Sequence, residues 1–299
     1  MEQAFGKVIL LGEHAVVYGR PAIAAALPRG ATARAEAEPA GPLLAVPAWG
    51  ALVGPADSSD LGRAFSAVLG WLGAGEARCR VVAQPSIPAG GGLGCSAAVG
   101  VAVARALGAF LGRPLDVGEA SAAGLAWERV IHGNPSGIDN AVAAGGGVGV
   151  YRRGQPLRQI SLGLTVGLAI GDTGTRGSTR AMVESVARQR ERRPEAVEKL
   201  LDAIGALVES GVAALERGHL RVLGQHLDLN QALLASLLVS TAEIEELCAI
   251  ARGAGAFGAK LTGGGGGGSV IAVAERPNEI VQAWSSQGYA GFAVELGCQ

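Results

Sequence analysis

Three stretches of the chain hold side chains that could act on a phosphate group. The first is Lys7, set in the apolar run at residues 5–11, with Gly12-Glu13-His14 directly after it. A lysine among Val, Ile and Leu often snorkels from a strand edge; the alternative is a cation aimed at a phosphate or at an attacking oxygen. The second is Pro88-Ala89-Gly90-Gly91-Gly92-Leu93-Gly94-Cys95-Ser96-Ala97-Ala98, which runs into an Ala- and Val-rich segment of helical character. Backbone N–H groups freed by glycine and the start of a helix both attract anions, and the Ser96 hydroxyl could reach a phosphate or a magnesium ion. An ordinary loop with Ser96 as helix cap is the plain alternative. The third is Glu128, followed by His132-Gly133-Asn134-Pro135-Ser136-Gly137-Ile138-Asp139. Phosphoryl transfer to an alcohol needs one carboxylate to hold magnesium and another to take or orient the hydroxyl proton. Glu128 and Asp139, separated by a turn-rich segment, meet that need, although isolated acids are more often solvated or capping residues.

Nearby patterns fit less well. The chain has no G-x-x-x-x-G-K-[ST]. Residues 92–97 match G-x-G-x-x-A, with Asp116 further on, but Pro85 and Pro88 break the strand such a dinucleotide loop requires. The G-x-S-x-G elbow fails at Ala98. Lys260 opens a further glycine-rich stretch, Lys260-Leu261-Thr262 followed by six glycines at 263–268 and then Ser269. Strand-like flanks favour a tight loop against a ligand over a flexible linker.

The elements that must position these groups can be read from periodicity. Strands are predicted over 5–11, within 31–53, and over 78–84, 142–151, 159–171, 259–262, 269–274 and 291–296. Helices are predicted over 60–72, 96–111, 116–131, 181–193, 194–216, 220–238, 241–253 and 277–287. Asp116 with Glu119 has the spacing of a capping box. Strands mixed with helices in both halves predict an α+β protein of two domains, 1–165 and 166–299, divided within 152–180.

Apolar residues make up 49% and aromatics only 4%, so the core must rest on Ala, Val and Leu. With 25 Lys and Arg against 26 Asp and Glu, a broad nucleic-acid surface is not expected. No leader-like start and no long unbroken apolar run are found, which predicts a soluble, cytoplasmic protein without membrane partners. Cys79, Cys95, Cys248 and Cys298 form no C-x-x-C pair and read as reduced thiols. Cys95, at a helix start, is expected to have a depressed pKa and to react as thiolate.

Residues 7–24, 88–98 and 260–270, in that order, resemble the three motifs of the galactokinase, homoserine kinase, mevalonate kinase and phosphomevalonate kinase superfamily. Residues 6–19 and 128–140 are most similar to its mevalonate kinases. The resemblance implies a two-domain small-molecule kinase fold with the active site in the interdomain cleft, ATP and Mg2+ as cofactors, mevalonate as acceptor, and a possible homodimer. It implies that Asp139 is the catalytic base and Lys7 stabilises the alkoxide and the transferring phosphoryl. Pro88, Gly90, Gly91, Gly92, Leu93, Gly94, Cys95, Ser96 and Ala97 would bind ATP, and Ser96 and Glu128 the metal. Glu13, His14, Ser178, Thr179, Gly264 and Gly265 would serve the acceptor. The chain departs from the family at Cys95, where a serine is usual, and in the last motif, where a glycine replaces the usual alanine. A phosphorylated acceptor would require further basic residues, for which Arg176 and Arg180 are the candidates. A nucleotide-binding protein without activity is the alternative of another class.

Overall fold

A computed structural model describes residues 1–297 and divides them into two compact units. One comprises residues 1–7, 27–89 and 94–146; the other comprises 8–26, 90–93 and the described residues from 147 onwards. Two strands pass from one unit to the other, β1 (Glu2–Leu11) and the long β2 (Ala22–Ala37).

In the first unit, the end of β2 pairs antiparallel with β5 (Cys79–Pro85), from Ala31↔Pro85 to Ala37↔Cys79. β3 (Leu43–Val46) lies parallel to β5 and antiparallel to β4 (Ala51–Val53). Four helices follow, α1 (Asp60–Leu72), α2 (Cys95–Phe110), α3 (Val117–His132) and α4 (Ile138–Gly145). Their ends obey local chemistry. Ser59 accepts from Gly62 N at 3.1 Å to cap α1, and the Asp116–Glu119 capping box closes both ways at the start of α3. Small residues let the helices meet closely: a Cβ at Gly100 of α2 would stand 2.7 Å from the Trp127 ring of α3. The core is correspondingly fine-grained, with Phe65, Val68, Val99, Val103, Leu107 and Trp127 among many alanines. Each large apolar side chain buried in this way contributes about 1.5–3 kcal/mol.

The second unit holds the antiparallel sheet β11-β8-β10-β9, formed by β8 (Val166–Asp172), β9 (Gly258–Thr262), β10 (Ser269–Val273) and β11 (Ala290–Leu296). Five helices belong to it: α5 (Thr179–Arg192), α6 (Pro194–Glu216), α7 (Leu220–Ser236), α8 (Ala242–Gly253) and α9 (Pro277–Ser286). Leu201, Ile204, Leu234, Leu247 and Trp284 anchor their packing. The first residues of β2 pair here with β6 (Val148–Tyr151), which also carries the short β7 (Arg158–Gln159).

Two strand expectations are corrected. Residues 138–145 form α4, so the strand expected over 142–151 shortens to β6; Gly137 and the Gly145-Gly146 pair isolate a single helical stretch that apolar content alone does not distinguish from a strand. The strand expected over 159–171 splits into β7 and β8 around Gly163, where a Cβ would stand 2.5 Å from the Glu216 carbonyl oxygen. Cys79, Cys95 and Cys248 are free and buried, and Cys298 lies outside the described residues. Among the described residues, no helix is long and apolar enough to cross a membrane.

Candidate active site

Lys7 Nζ in β1 lies 2.9 Å from Asp139 Oδ1, with the lysine side chain 4% exposed and the aspartate 30%. The lysine is therefore not a snorkelling edge residue. Asp139 occupies the first turn of α4, where the peptide dipoles favour its negative charge. Asn140 beside it donates through Nδ2 to Ser121 O and Ser121 Oγ, both at 2.9 Å, which ties α4 to α3.

One helix away, Glu128 is 2% exposed. Its Oε1 accepts from Ser96 Oγ at 2.5 Å, and Ser96 Oγ accepts from Trp127 Nε1 at 3.1 Å. His132 Nε2 stands 3.5 Å from Glu128 Oε2. Burial pushes the Glu128 carboxyl up to about 8, and the Asp139 charge pushes the same way, against the Ser96 hydrogen bond and the Lys7 charge. The ionised form is thus short of positive charge. A hydroxyl and a carboxylate are the hard oxygen donors that suit Mg2+, which ordinarily takes few protein ligands and completes its shell with phosphate and water. Ser96 and Glu128 fit such an ion. Among the described residues, no group of three or more His, Cys, Asp or Glu side chains could hold a metal without other ligands.

The start of α2 is shaped for this cluster. Its N-cap, Gly94, has φ 73°, and a Cβ there would lie 2.9 Å from Lys7 Cγ and 3.6 Å from Asp139 Oδ1. Only glycine combines that backbone with that clearance. The reactive thiolate expected at Cys95 is not found. Its side chain is 5% exposed, and Sγ donates to Ile87 O at 3.4 Å. Burial first, and the Glu128 charge second, push the thiol up to about 11. Desolvation and a neighbouring anion outweigh the helix N-terminus.

The second unit assembles a different cluster. His14 is buried with φ 59°, and its Nε2 is 2.9 Å from Gly264 O. Burial lowers the His14 pKa, against that hydrogen bond, and favours the neutral ring. Thr179 sits on the same glycine, its Cα 3.0 Å from where a Gly264 Cβ would be. Ser178 caps α5, accepting from Ala181 N at 3.2 Å. Gly265 lies against Val239, and Ser269 Oγ donates to Gly91 O at 2.7 Å. Pro88, Ala89 and Gly90 are exposed, whereas Gly91, Leu93 and Ala97 are buried. Arg176, a candidate for a phosphorylated acceptor, gives both terminal nitrogens to Asp172, at 2.6 and 2.8 Å.

The structure thus brings together Lys7, Ser96, Glu128 and Asp139 in one unit, and His14, Gly264 and Thr179 in the other. Sequence reasoning assigned no role to Trp127, Asn140, Thr262 or Lys260. Lys260 had a signal of its own, a cation inside an apolar strand, the pattern that singled out Lys7.

Comparison with known proteins identifies the family. Residues 62–147 match the family model for the GHMP kinases N terminal domain, and residues 212–290 match that for the GHMP kinases C terminal. A mevalonate kinase of Pyrococcus horikoshii is 38% identical, the match covering 95% of this chain and 91% of that protein. One from Aeropyrum pernix is 36% identical over 98% of this chain and 96% of that protein. The crystal structure of L. major mevalonate kinase in complex with R-mevalonate superposes with a TM-score of 0.85 at 29% identity, covering 98% of this chain and 95% of that one. Phosphomevalonate kinase from Streptococcus pneumoniae reaches a TM-score of 0.85 at 18% identity and shares the fold. The chain belongs to the GHMP kinase family and, within it, to the mevalonate kinases.

Proposed function

We infer that the chain transfers the γ-phosphoryl group of ATP to the C5 hydroxyl of mevalonate, giving 5-phosphomevalonate and ADP. The observation that carries this reading is the 2.9 Å contact between Lys7 and Asp139, in a chain whose relatives are mevalonate kinases. An alcohol is a poor nucleophile in water, and a carboxylate within reach removes its proton as the new bond forms. Asp139 takes that role. Lys7, held against it, offsets the negative charge that develops on the attacking oxygen and on the transferred group. Because Lys7 is buried, its charge acts without the screening that water would impose.

Ser96 and Glu128 would hold Mg2+, which when bound neutralises charge on the phosphates. Backbone N–H groups of Gly90, Gly91, Gly92, Leu93, Gly94, Cys95, Ser96 and Ala97 would face the phosphates, with Pro88, which has no N–H, shaping the start of the loop. His14, Ser178, Thr179, Gly264 and Gly265 serve the acceptor, with Glu13 behind His14. The engagement of Arg176 by Asp172 favours an unphosphorylated acceptor, since that guanidinium already has its carboxylate.

The test is ADP release from Mg-ATP with mevalonate, phosphomevalonate, homoserine and galactose offered separately, beside Asp139→Asn. Turnover with mevalonate alone, lost in the variant, is expected. Turnover with another of the four would sink the acceptor assignment, and silence with all of them would sink the catalytic reading.

A further inference from the structure

Lys260 lies outside the Lys7, Ser96, Glu128 and Asp139 cluster and is, among the described residues, the most deeply buried cation of the second unit. It projects from β9 with its side chain 0% exposed. Its ammonium forms an ion pair with Glu13 Oε1, donates to Leu261 O, and lies 3.4 Å from Ile9 O. The Glu13 side chain is likewise 0% exposed. Its other oxygen, Oε2, accepts from Asn230 Nδ2 of α7 at 3.5 Å, while the buried Asn230 Oδ1 has no hydrogen-bond partner. A buried amide that leaves its carbonyl unsatisfied is unfavourable, and here its donor end faces the carboxylate. Thr262, two residues beyond Lys260, meets both Ile9 N at 2.8 Å and Ile9 O at 3.2 Å through Oγ1. The end of β1, the strand β9 and the helix α7 are therefore fastened at one buried knot.

The next residue in the chain, His14, gives the knot its meaning. It adopts φ 59°, a conformation that non-glycine residues avoid, and turns its imidazole onto Gly264 O at 2.9 Å. A backbone held away from its preferred region needs its neighbours fixed on both sides. After His14, Val17 N bonds to His14 O at 3.0 Å. Before it, the anchor is the Glu13 side chain, with no solvent exposure. We propose that Lys260 is a positioning residue for the acceptor side of the site: by holding Glu13, it fixes the strained His14 turn and so the place of the imidazole beside Gly264. Glu13 then acts through His14 rather than by touching substrate. This rests on the reading of His14 as an acceptor-side group.

Removing one member of a buried ion pair strands the other, so single variants lose stability for that reason alone. The informative protein is Lys260→Met/Glu13→Leu, which replaces the pair with apolar side chains, compared with wild type and both single variants. Three quantities are measured: thermal midpoint, KM for mevalonate and for ATP, and the His14 imidazole NMR signal, assigned by its loss in His14→Asn. The expected result is a double variant with its midpoint restored towards wild type, KM for mevalonate raised at least about tenfold, KM for ATP within about twofold, and a displaced His14 signal. A double variant with wild-type KM values and an unmoved His14 signal would show the pair to be a plain structural staple and overturn the proposal. If wild type does not phosphorylate mevalonate, the functional reading fails on its own. The His14 signal still decides the positioning claim, because it requires no turnover.

Discussion

Two buried glutamates, one in each unit, show two ways in which this chain handles a carboxylate out of water. Glu13 is neutralised from within: the Lys260 ammonium meets it directly, and an amide covers its other oxygen. Glu128 has a hydroxyl on one oxygen and a histidine near the other, with the Asp139 charge raising its pKa further. The first arrangement is closed, and the second is short of positive charge. A closed pair is suited to holding backbone in place, whereas an electrostatically incomplete carboxylate is suited to receiving a cation. The two sides differ in material as well. Around Glu128 the contacts are made by side chains on three helices, α2, α3 and α4, and around Glu13 by strand backbone and a buried amide.

The contrast can be broken most forcefully at Asp139. Asp139→Asn should lower kcat by about 10²–10⁴-fold, as loss of a general base does, with both KM values changed by less than about threefold; steady-state rates on purified protein decide it. Lys7→Met in the Asp139→Asn background should cost much less than it does alone, since the two groups act together.

Next comes Glu128, through pH. A carboxyl ordinarily near 4.5 and raised to about 8 in the fold binds more protons folded than unfolded between those values. Its contribution is full below about 4.5 and lost as pH rises towards about 8, with a slope of at most about 1.4 kcal/mol per pH unit. Denaturant titrations without divalent cations should show that decline, Mg2+ with nucleotide should flatten it, and Glu128→Gln should remove it. A slope unchanged in Glu128→Gln would place the titration elsewhere.

The glycine side is sharpened by neighbouring alanines. At Gly265, with φ 77° and a Cβ position 2.2 Å from Val239 O, alanine should destabilise by more than about 2 kcal/mol. At Gly264 the nearest atom is Thr179 Cα at 3.0 Å and the backbone is not left-handed, so alanine should cost less than about 1 kcal/mol. Thermal melts of the two variants would rank them. Cys95 reports on the start of α2 without touching activity or stability: with its thiol near 11, maleimide labelling at neutral pH should be slower than for a free cysteine by about a hundredfold or more. Fast labelling at that position would mean that the start of α2 opens readily.

Much of this was legible in the sequence where local chemistry decides the outcome. The helix over 60–72 has the bounds its periodicity predicts, and the Asp116–Glu119 capping box is formed as its spacing predicts. Lys7 stood out as a cation in an apolar strand, and Ser96, Glu128 and Asp139 as a hydroxyl and two acids beside turn-rich segments. α4 was missed because a short apolar stretch between glycines fits either a strand or a helix. The Lys260–Glu13 pair was missed because it joins positions 247 apart in sequence, and no local pattern states which buried cation meets which acid. Cys95 misled for a related reason: its position at a helix start was visible, but its burial and the nearness of Glu128 were not.

The hydrogen bond from the Trp127 indole to the Ser96 hydroxyl has an optical consequence. Trp127 and Trp284 are buried, whereas Trp49 and Trp71 are each 37% exposed, and Trp284 is committed to the Leu247 carbonyl. Of the four chromophores, Trp127 alone shares its partner with the candidate cation site. Recruiting that hydroxyl to a metal or a phosphate changes the dipole beside the indole. The chain therefore carries its own emission reporter for the event that precedes phosphoryl transfer, and Trp127→Phe should silence that signal while Trp71→Phe should leave it intact.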